Sequence, residues 1–139
     1  MRPSRIALLA RVEPFSLLPP ELLPRLARRA RRRLFSRGSF LVRQGDRGDA
    51  LHVIVQGRVR LEAAHPALRI PVVLTELWPG QVVGEYAVLD GHPRAASAIA
   101  VEETETLEFC TTALLIVLAQ DPAATAALRA LSARIGLYA

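Results

Sequence analysis

The stretch of the chain best suited to chemistry is residues 84–98, which reads GEYAVLDGHPRAASA. Gly84 permits backbone conformations that are closed to other residues. If the residues after it form one helical turn, their unpaired N–H groups point toward a common spot and favour an anion there. Arg94 can return to that spot, because a guanidinium makes bidentate, charge-assisted hydrogen bonds to a phosphate. The stretch therefore predicts a phosphate-binding site.

Glu85 gives this predicted site a second polar group. Its carboxylate can accept a hydrogen bond from a sugar hydroxyl while Arg94 offsets its charge. The residues that follow the arginine are small and leave room for a ligand: Ala95, Ala96 and Ser97. These features fit a small phosphorylated sugar. An alternative stays open at this point, because Glu85 and Arg94 could form a surface ion pair that contributes about 0–1 kcal/mol to stability.

Other groups suited to catalysis or metal binding are sparse. His52, His65 and His92 do not stand at HxH or HxxxH spacing, whereas a metal-dependent enzyme of the cupin type needs several histidines and a carboxylate around one metal. His52 falls in an apolar strand pattern and is interpreted as a strand residue. The single cysteine, Cys110, excludes an internal disulfide and is interpreted as a small buried hydrophobe. The sequence therefore predicts no enzyme, no metal site and no cofactor.

The composition indicates one small domain. The chain has 139 residues, of which 51% are hydrophobic and 22% are charged, so a core can form and disorder is not expected. No apolar run approaches the ~20 residues that span a bilayer, and no secretory signal is identified. We therefore expect a soluble, cytoplasmic protein without a membrane partner.

The basic residues are all arginine, and they are unevenly distributed. Residues 1–37 hold ten arginines and two acids, a balance of +8, while the other 102 residues hold eight arginines and eleven acids, a balance of −3. The arginine cluster at residues 25–33 could contact nucleic acid. We interpret it instead as the solvated face of a helix, so direct nucleic-acid binding by this chain alone is not expected.

The hydrophobic pattern divides the chain into three regions. Residues 1–33 are predicted to be an N-terminal helical segment, residues 34–111 a set of short strands, and residues 112–139 C-terminal helices. The turn signals include residues 45–49, a tight hairpin at Gln56 and Gly57, and a turn at 102–105 that joins a second strand pair. So many short strands favour an antiparallel roll or sandwich.

The C-terminal segment carries an apolar stripe at helical spacing, formed by Ala124, Leu128, Leu131, Ile135 and Tyr138. Such a stripe can pack on the roll, or it can form the seam of a homodimer through the C-terminal helix. Both interpretations stay open, since two heptads do not distinguish them.

Two runs, GEYAVL at 84–89 and PRAAS at 93–97, together resemble the phosphate-binding cassette of cyclic-nucleotide-binding domains. That family includes the regulatory subunits of cyclic-AMP-dependent protein kinase, bacterial catabolite activator proteins and cyclic-nucleotide-gated channels. Similar turns occur at Gly38, 45–49, 56–58 and 78–80, so the resemblance covers about residues 15–135. It implies a mainly β fold with flanking α, an antiparallel double-stranded β-helix (jelly roll) with N- and C-terminal helices. It also implies a single domain over 1–139 with its cassette at 83–97.

The resemblance also implies roles for individual residues. Glu85 would bind the ribose 2′-hydroxyl, and Arg94 would pair with the cyclic phosphate. Gly84 would allow close approach, and backbone N–H groups of 86–87 and 95–96 would complete the phosphate contacts. The ligand-binding residues implied in this way are Gly84, Glu85, Tyr86, Ala87, Arg94, Ala95, Ala96 and Ser97. The small Ala95 is similar to members selective for cyclic AMP over cyclic GMP. The residue that covers the base stays open among Leu131, Arg134, Leu137 and Tyr138.

The expected function is that of a regulatory sensor that reversibly binds a cyclic nucleotide, with cyclic AMP as the expected ligand. The bound state would be transmitted through the C-terminal helices to an output protein or domain in trans, for example in a transcriptional regulator. The alternative is a degenerate domain that acts as a protein–protein interaction scaffold without nucleotide.

Overall fold

The computed structural model describes residues 4–12, 15–47, 49–84, 93–122, 124 and 126. Its helices are α1 (Arg5–Leu9), α2 (Leu23–Arg29) and α3 (Thr111–Leu118), with 3₁₀ turns at Phe15–Leu17 and Pro20–Leu22. Its strands are β1 (Arg31–Phe35), β2 (Phe40–Val42), β3 (Ala50–Gln56), β4 (Val59–Ala63), β5 (Val72–Leu77), β6 (Val82–Val83), β7 (Ser97–Ala100) and β8 (Thr104–Cys110).

These strands form two antiparallel sheets of four strands each. The first sheet has the order β1-β8-β3-β6, and the second has the order β2-β7-β4-β5. Strands that follow one another along the chain therefore lie mostly in different sheets, as expected when a pair of strands is rolled up. The mainly β jelly-roll fold with flanking helices is confirmed.

The N-terminal helices end earlier than the sequence predicts. Helix α2 ends at Arg29, and the next residues enter β1, which pairs with β8 along its whole length. In that pairing Arg32 lies 3.3 Å from Glu105 and Arg33 lies 2.9 Å from Glu108. The predicted helical segment to residue 33 is therefore wrong over its last three residues, because strand pairing with the acids of β8 outweighs the local helical pattern.

The predicted hairpin at Gln56 and Gly57 is also wrong. Its two strands are present and Gly57 has a φ of +103°, but β3 belongs to the first sheet and β4 to the second. A Cβ at Gly57 would lie 2.5 Å from Thr104 Oγ1 and 2.6 Å from the Glu103 carbonyl oxygen. Gly57 therefore forms a tightly packed corner between the sheets. The predicted pairing of the strands around 102–105 fails for the same reason, because β7 and β8 lie in different sheets.

The buried apolar side chains form two clusters, one on each face of the first sheet. One cluster joins the outer face, including Leu51, Val53 and Phe109, to all three helices. The smaller cluster lies between the sheets and includes Ile54 and Val83. The helices therefore cover the outer face of the first sheet. The space between the two sheets is filled by side chains of the strands.

The end of β8 differs from the prediction at its cysteine. Cys110 is exposed, and its sulfur accepts a hydrogen bond of 3.4 Å from the Ala113 N–H at the start of α3. The interpretation of Cys110 as a buried hydrophobe is therefore wrong. It lies at a helix N-terminus, where a side-chain acceptor satisfies an orphan donor.

The C-terminal apolar stripe is described only at Ala124, which is buried in the larger cluster. The rest of the stripe and all four residues considered for covering the base lie outside the described residues. Within the part of the chain that is described, no helix is long and apolar enough to cross a membrane.

Candidate functional site

The main chain of Arg94 is held by the turn that joins β2 to β3. The Arg94 N–H donates to the Asp46 carbonyl oxygen at 2.7 Å, and the Gly45 N–H donates to the Arg94 carbonyl oxygen at 2.8 Å. An isolated antiparallel bridge between Arg47 and Pro93 extends this pairing. The turn at 45–49 that the sequence predicts therefore has a second role, since it fixes the backbone position of the arginine just before β7.

The Arg94 side chain points into the roll and is only 5% exposed. Its Nη1 donates to the Gly84 carbonyl oxygen at 3.1 Å, and its Nη2 donates to the Ala50 carbonyl oxygen. Gly84 follows β6 and Ala50 begins β3, and these two strands are paired in the first sheet. Two main-chain oxygens on paired strands thus contribute to fixing the orientation of the guanidinium.

Gly84 is required by this contact. Its φ is +91°, a conformation that L side chains rarely adopt, and a Cβ built on it would overlap Arg94 Nη1 and crowd the rest of the guanidinium. The sequence predicts that Gly84 allows a close approach. The structure shows that the group approaching it is the arginine of the same predicted site.

The three small residues after Arg94 differ in their exposure and in their hydrogen bonding. Ala95 is exposed, whereas Ala96 is buried. Ser97 begins β7, and its Oγ accepts a hydrogen bond of 2.9 Å from the Gln44 N–H. Ser97 therefore helps to fasten the β2–β3 turn, and its O–H remains able to donate.

A cavity of about 310 Å³ opens beside Arg94. Its wall combines apolar residues of β2 with charged residues of the following turn, and it is lined by Leu41, Val42, Arg43, Asp46, Arg47, Asp49 and Arg94. This volume is at the lower end of the range for small-molecule sites. The arginine side chains on its wall outnumber the carboxylates, so the cavity suits a small anion better than a cation.

His52 is a buried polar residue of β3 that sequence reasoning did not connect with the site. Its Nδ1 lies 3.0 Å from Thr106 Oγ1, and its Nε2 lies 3.7 Å from a Glu108 carboxylate oxygen that also pairs with Arg33. Burial, together with the smaller effects of the positive charges of Arg94 and Arg33, lowers the pKa of His52 from 6.5 to about 4. The imidazole is therefore neutral near pH 7 and adds no charge beside the buried arginine.

Three of the sequence-predicted ligand contacts cannot be placed. Glu85, Tyr86 and Ala87 lie outside the described residues, as does His92. Among the residues that the structure does describe, no group of three or more His, Cys, Asp or Glu side chains is arranged to hold a metal ion.

Comparison with known proteins shows similarity over most of the chain. The profile of the family described as "Cyclic nucleotide-binding domain" matches residues 32–121. The Cyclic AMP receptor protein of Thermus thermophilus is 37% identical over 120 residues, which cover 86% of this chain and 55% of that protein. This chain spans about half the length, or less, of the curated relatives that it matches.

Solved structures give the same result. The N-terminal domain of a transcriptional regulator from Streptomyces coelicolor superposes with a TM-score of 0.77 at 30% identity, over 92% of this chain and 91% of that chain. The regulatory domain of Toxoplasma gondii PKA with cAMP superposes with a TM-score of 0.83 at 20% identity, over 96% of this chain and 49% of that chain, and supports the fold. Since the family profile covers most of the chain, including Gly84 and the buried Arg94, the chain belongs to the cyclic nucleotide-binding domain family.

Proposed function

We propose that this chain binds cyclic AMP in preference to cyclic GMP, with the cyclic phosphate held at Arg94, and that residues 83–97 form the binding cassette of the domain. The observation that carries the proposal is the buried Arg94 guanidinium, fixed between the carbonyl oxygens of Gly84 and Ala50. Membership of a family of cyclic-nucleotide-binding regulatory domains supports the ligand class.

The proposed chemistry follows from the burial of a positive charge. A guanidinium carries several N–H donors in a planar fork, and a phosphate that enters beside it can accept charge-assisted hydrogen bonds from them. Because the guanidinium is already oriented by the main chain, little side-chain entropy is lost when a phosphate binds. Glu85 would accept from the ribose 2′-hydroxyl, and N–H groups near Tyr86, Ala87, Ala95 and Ala96 would complete the contacts to the phosphate.

Two observations support cyclic AMP over cyclic GMP. Ala95 is exposed next to the arginine and offers no hydroxyl to a guanine amino group. A relative that covers 86% of this chain is named a Cyclic AMP receptor protein. No separate cofactor is proposed.

We propose that the bound state is transmitted through the C-terminal helices to an output protein, or to an output domain of a longer chain. Helix α3 packs against α2 and β8 in the larger apolar cluster, through Leu114 and Val117. A ligand that prefers one position of these helices shifts their population, and a preference of about 1–3 kcal/mol gives ordinary allosteric coupling. The similarity to a transcriptional regulator makes a DNA-binding partner domain the first output to test.

Direct titration with cyclic AMP tests the proposal. We expect the native chain to bind, Arg94→Ala and Glu85→Gln each to weaken binding at least tenfold, and cyclic GMP to bind more weakly than cyclic AMP. Arg28→Ala is the matched control, because Arg28 is an exposed arginine on α2. Glu85→Gln also separates loss of a ligand contact from any loss of folding caused by Arg94→Ala. If neither nucleotide binds to the folded native chain, the proposal fails and the scaffold alternative replaces it.

A further inference from the structure

Gln44, in the turn between β2 and β3, makes hydrogen bonds to two other segments of the chain. Its Nε2 donates to the Ala64 carbonyl oxygen at 3.0 Å, and its Oε1 accepts from the Ala64 N–H at 2.7 Å. Its own N–H donates to Ser97 Oγ at 2.9 Å. The next residue, Gly45, donates its N–H to the Arg94 carbonyl oxygen. Gln44 therefore ties the start of β7, and the turn that holds Arg94, to the residue that follows β4.

The two bonds between Gln44 and Ala64 have the form of strand pairing. In an antiparallel ladder, a residue whose N–H and carbonyl both point to the neighbouring strand exchanges two hydrogen bonds with one residue of that strand. Ala64 directly follows β4, and the Gln44 carboxamide supplies both of its partners. The glutamine side chain thus lies where a neighbouring strand would lie.

The register of the second sheet identifies that strand as β7. Strand β7 lies between β2 and β4, and its first residue, Ser97, pairs with Glu62 of β4. Continuing this register by two residues would place Ala95 opposite Ala64. Instead, β7 begins only at Ser97, and the two residues before it form a bend. The Gln44 side chain therefore reaches from just beyond β2 to Ala64, across the position that β7 leaves open.

The alternation of main-chain hydrogen bonds shows which way Ala95 would face in such a ladder. Ala100 makes its main-chain bonds to residues 38–39, on the β2 side, and Arg94 makes both of its bonds to the turn after β2. Because neighbouring residues of a strand face opposite sides, Ala95 would face β4 and pair with Ala64. Between described residues, the Ala95 N–H makes no main-chain hydrogen bond.

We propose that Gln44 is a positioning residue of the nucleotide site, which takes the place of Ala95 opposite Ala64 and so keeps the Ala95 N–H free for the phosphate. Without the carboxamide, β7 can extend by two residues and use this N–H in the ladder. An N–H that is not already paired, next to Arg94, can donate a charge-assisted hydrogen bond to the phosphate. The ligand in this inference rests on the proposed function, whereas the role of Gln44 in ending β7 rests on the hydrogen bonds above.

Amide hydrogen exchange followed by NMR tests the role of Gln44 in the ligand-free chain. In Gln44→Ala we expect the Ala95 N–H to exchange about tenfold more slowly than in the native chain, because it then pairs with Ala64. The matched control is Gln81→Ala, which removes a bond of 2.8 Å from the Trp78 N–H in another turn and should leave exchange at Ala95 unchanged. Equal exchange at Ala95 in the native chain and in Gln44→Ala overturns the inference.

Titration with cyclic AMP tests the consequence for the ligand. We expect Gln44→Ala to bind about tenfold more weakly than the native chain, because a hydrogen bond to a charged group is lost, and Gln81→Ala to bind like the native chain. The Ala95 amide resonance should move downfield when the native chain binds, and it should move much less in Gln44→Ala.

Undiminished affinity in Gln44→Ala overturns the inference, even where exchange at Ala95 has slowed. A native chain that binds no nucleotide contradicts the proposed function instead. The exchange measurement, which needs no ligand, then decides by itself whether Gln44 ends β7.

Discussion

The guanidinium of Arg94 joins two neighbouring strands of one sheet through main-chain oxygens, at the end of β6 and at the start of β3. This arrangement depends on a residue without a side chain at Gly84, since any Cβ there overlaps the guanidinium. The two residues therefore act as a unit at the residue scale: the glycine leaves the space, and the arginine occupies it with a fixed charge.

Gly84→Ala tests whether the position of the Arg94 guanidinium depends on a glycine at position 84. We expect the alanine to displace the guanidinium and to weaken cyclic-nucleotide binding at least tenfold, as measured by titration calorimetry. The positive φ also costs about 1–3 kcal/mol of stability, which Gly38→Ala controls for, because Gly38 has a φ of +86° and open space around it. If Gly84→Ala binds nucleotide like Gly38→Ala, then the position of Arg94 does not govern binding.

His52 gives a second prediction at this scale, for the pH dependence of stability. Its pKa is 6.5 in the unfolded chain and about 4 in the folded chain, so between these values the unfolded chain binds the extra proton. Stability therefore falls as the pH drops from 6.5 to 4, by about 3 kcal/mol from this residue, and the contribution is fully present above pH 6.5.

Urea unfolding of the native chain and of His52→Asn at pH 7 and pH 4.5 measures the contribution of His52 to the pH dependence of stability. Asparagine can keep the hydrogen bond to Thr106 but does not titrate, so the variant should lose less stability on acidification. His65→Asn is the control, because His65 is exposed. Equal acid sensitivity of the native chain and His52→Asn would show that the imidazole is not the titrating group.

At the scale of elements, the passage from β3 to β4 decides the topology. The sequence signal at Gln56 and Gly57 is that of a tight turn with positive φ, and this local conformation is present. A tight turn can fold a strand back on its neighbour or send it into the other sheet. The choice depends on residues distant in sequence, here Glu103 and Thr104 of the turn into β8 packed against Gly57.

Gly57→Ala should therefore destabilise the fold more than the same change at another glycine of similar φ. The added methyl meets a carbonyl oxygen and Thr104, which cannot both move away without opening the corner. We expect a loss of about 2 kcal/mol or more beyond that of Gly38→Ala, measured as the difference in free energy of unfolding in urea. Similar losses in both variants would mean that only the backbone conformation matters at Gly57.

The difference between local conformation and contacts distant in sequence explains which features could be predicted from the sequence. Most short strands and their turns are local patterns, and the described residues agree with them. The role of Arg94 in ligand binding stays a prediction. The contacts of His52, the β2–β3 turn that holds Arg94, and the pairing of Arg32 and Arg33 with β8 join residues about fifty or more positions apart. A single sequence carries no local signal for such contacts, because they arise only once the sheets assemble.

At the scale of the whole molecule, the structure explains part of the uneven distribution of charge along the chain. The arginine-rich N-terminal region enters the first sheet through β1, next to the acids of β8. Arg32 and Arg33 thereby pair with Glu105 and Glu108, so part of the excess positive charge is used to join the N-terminal helices to the roll. The helices and the first sheet also share one apolar cluster.

Ligand binding should therefore stabilise the entire fold. A ligand that binds only the folded chain adds about 2.7 kcal/mol to the free energy of unfolding when its concentration is 100 times its dissociation constant. For a chain of this size that corresponds to a rise in melting temperature of roughly 10 °C. We expect this rise with cyclic AMP in the native chain and in Arg28→Ala, and its loss in Arg94→Ala. Adenosine has the same base and ribose without the phosphate, so it should give little or no shift by calorimetry. An equal rise with adenosine would place the binding energy on the base and ribose, and would remove the phosphate contact at Arg94 from the mechanism.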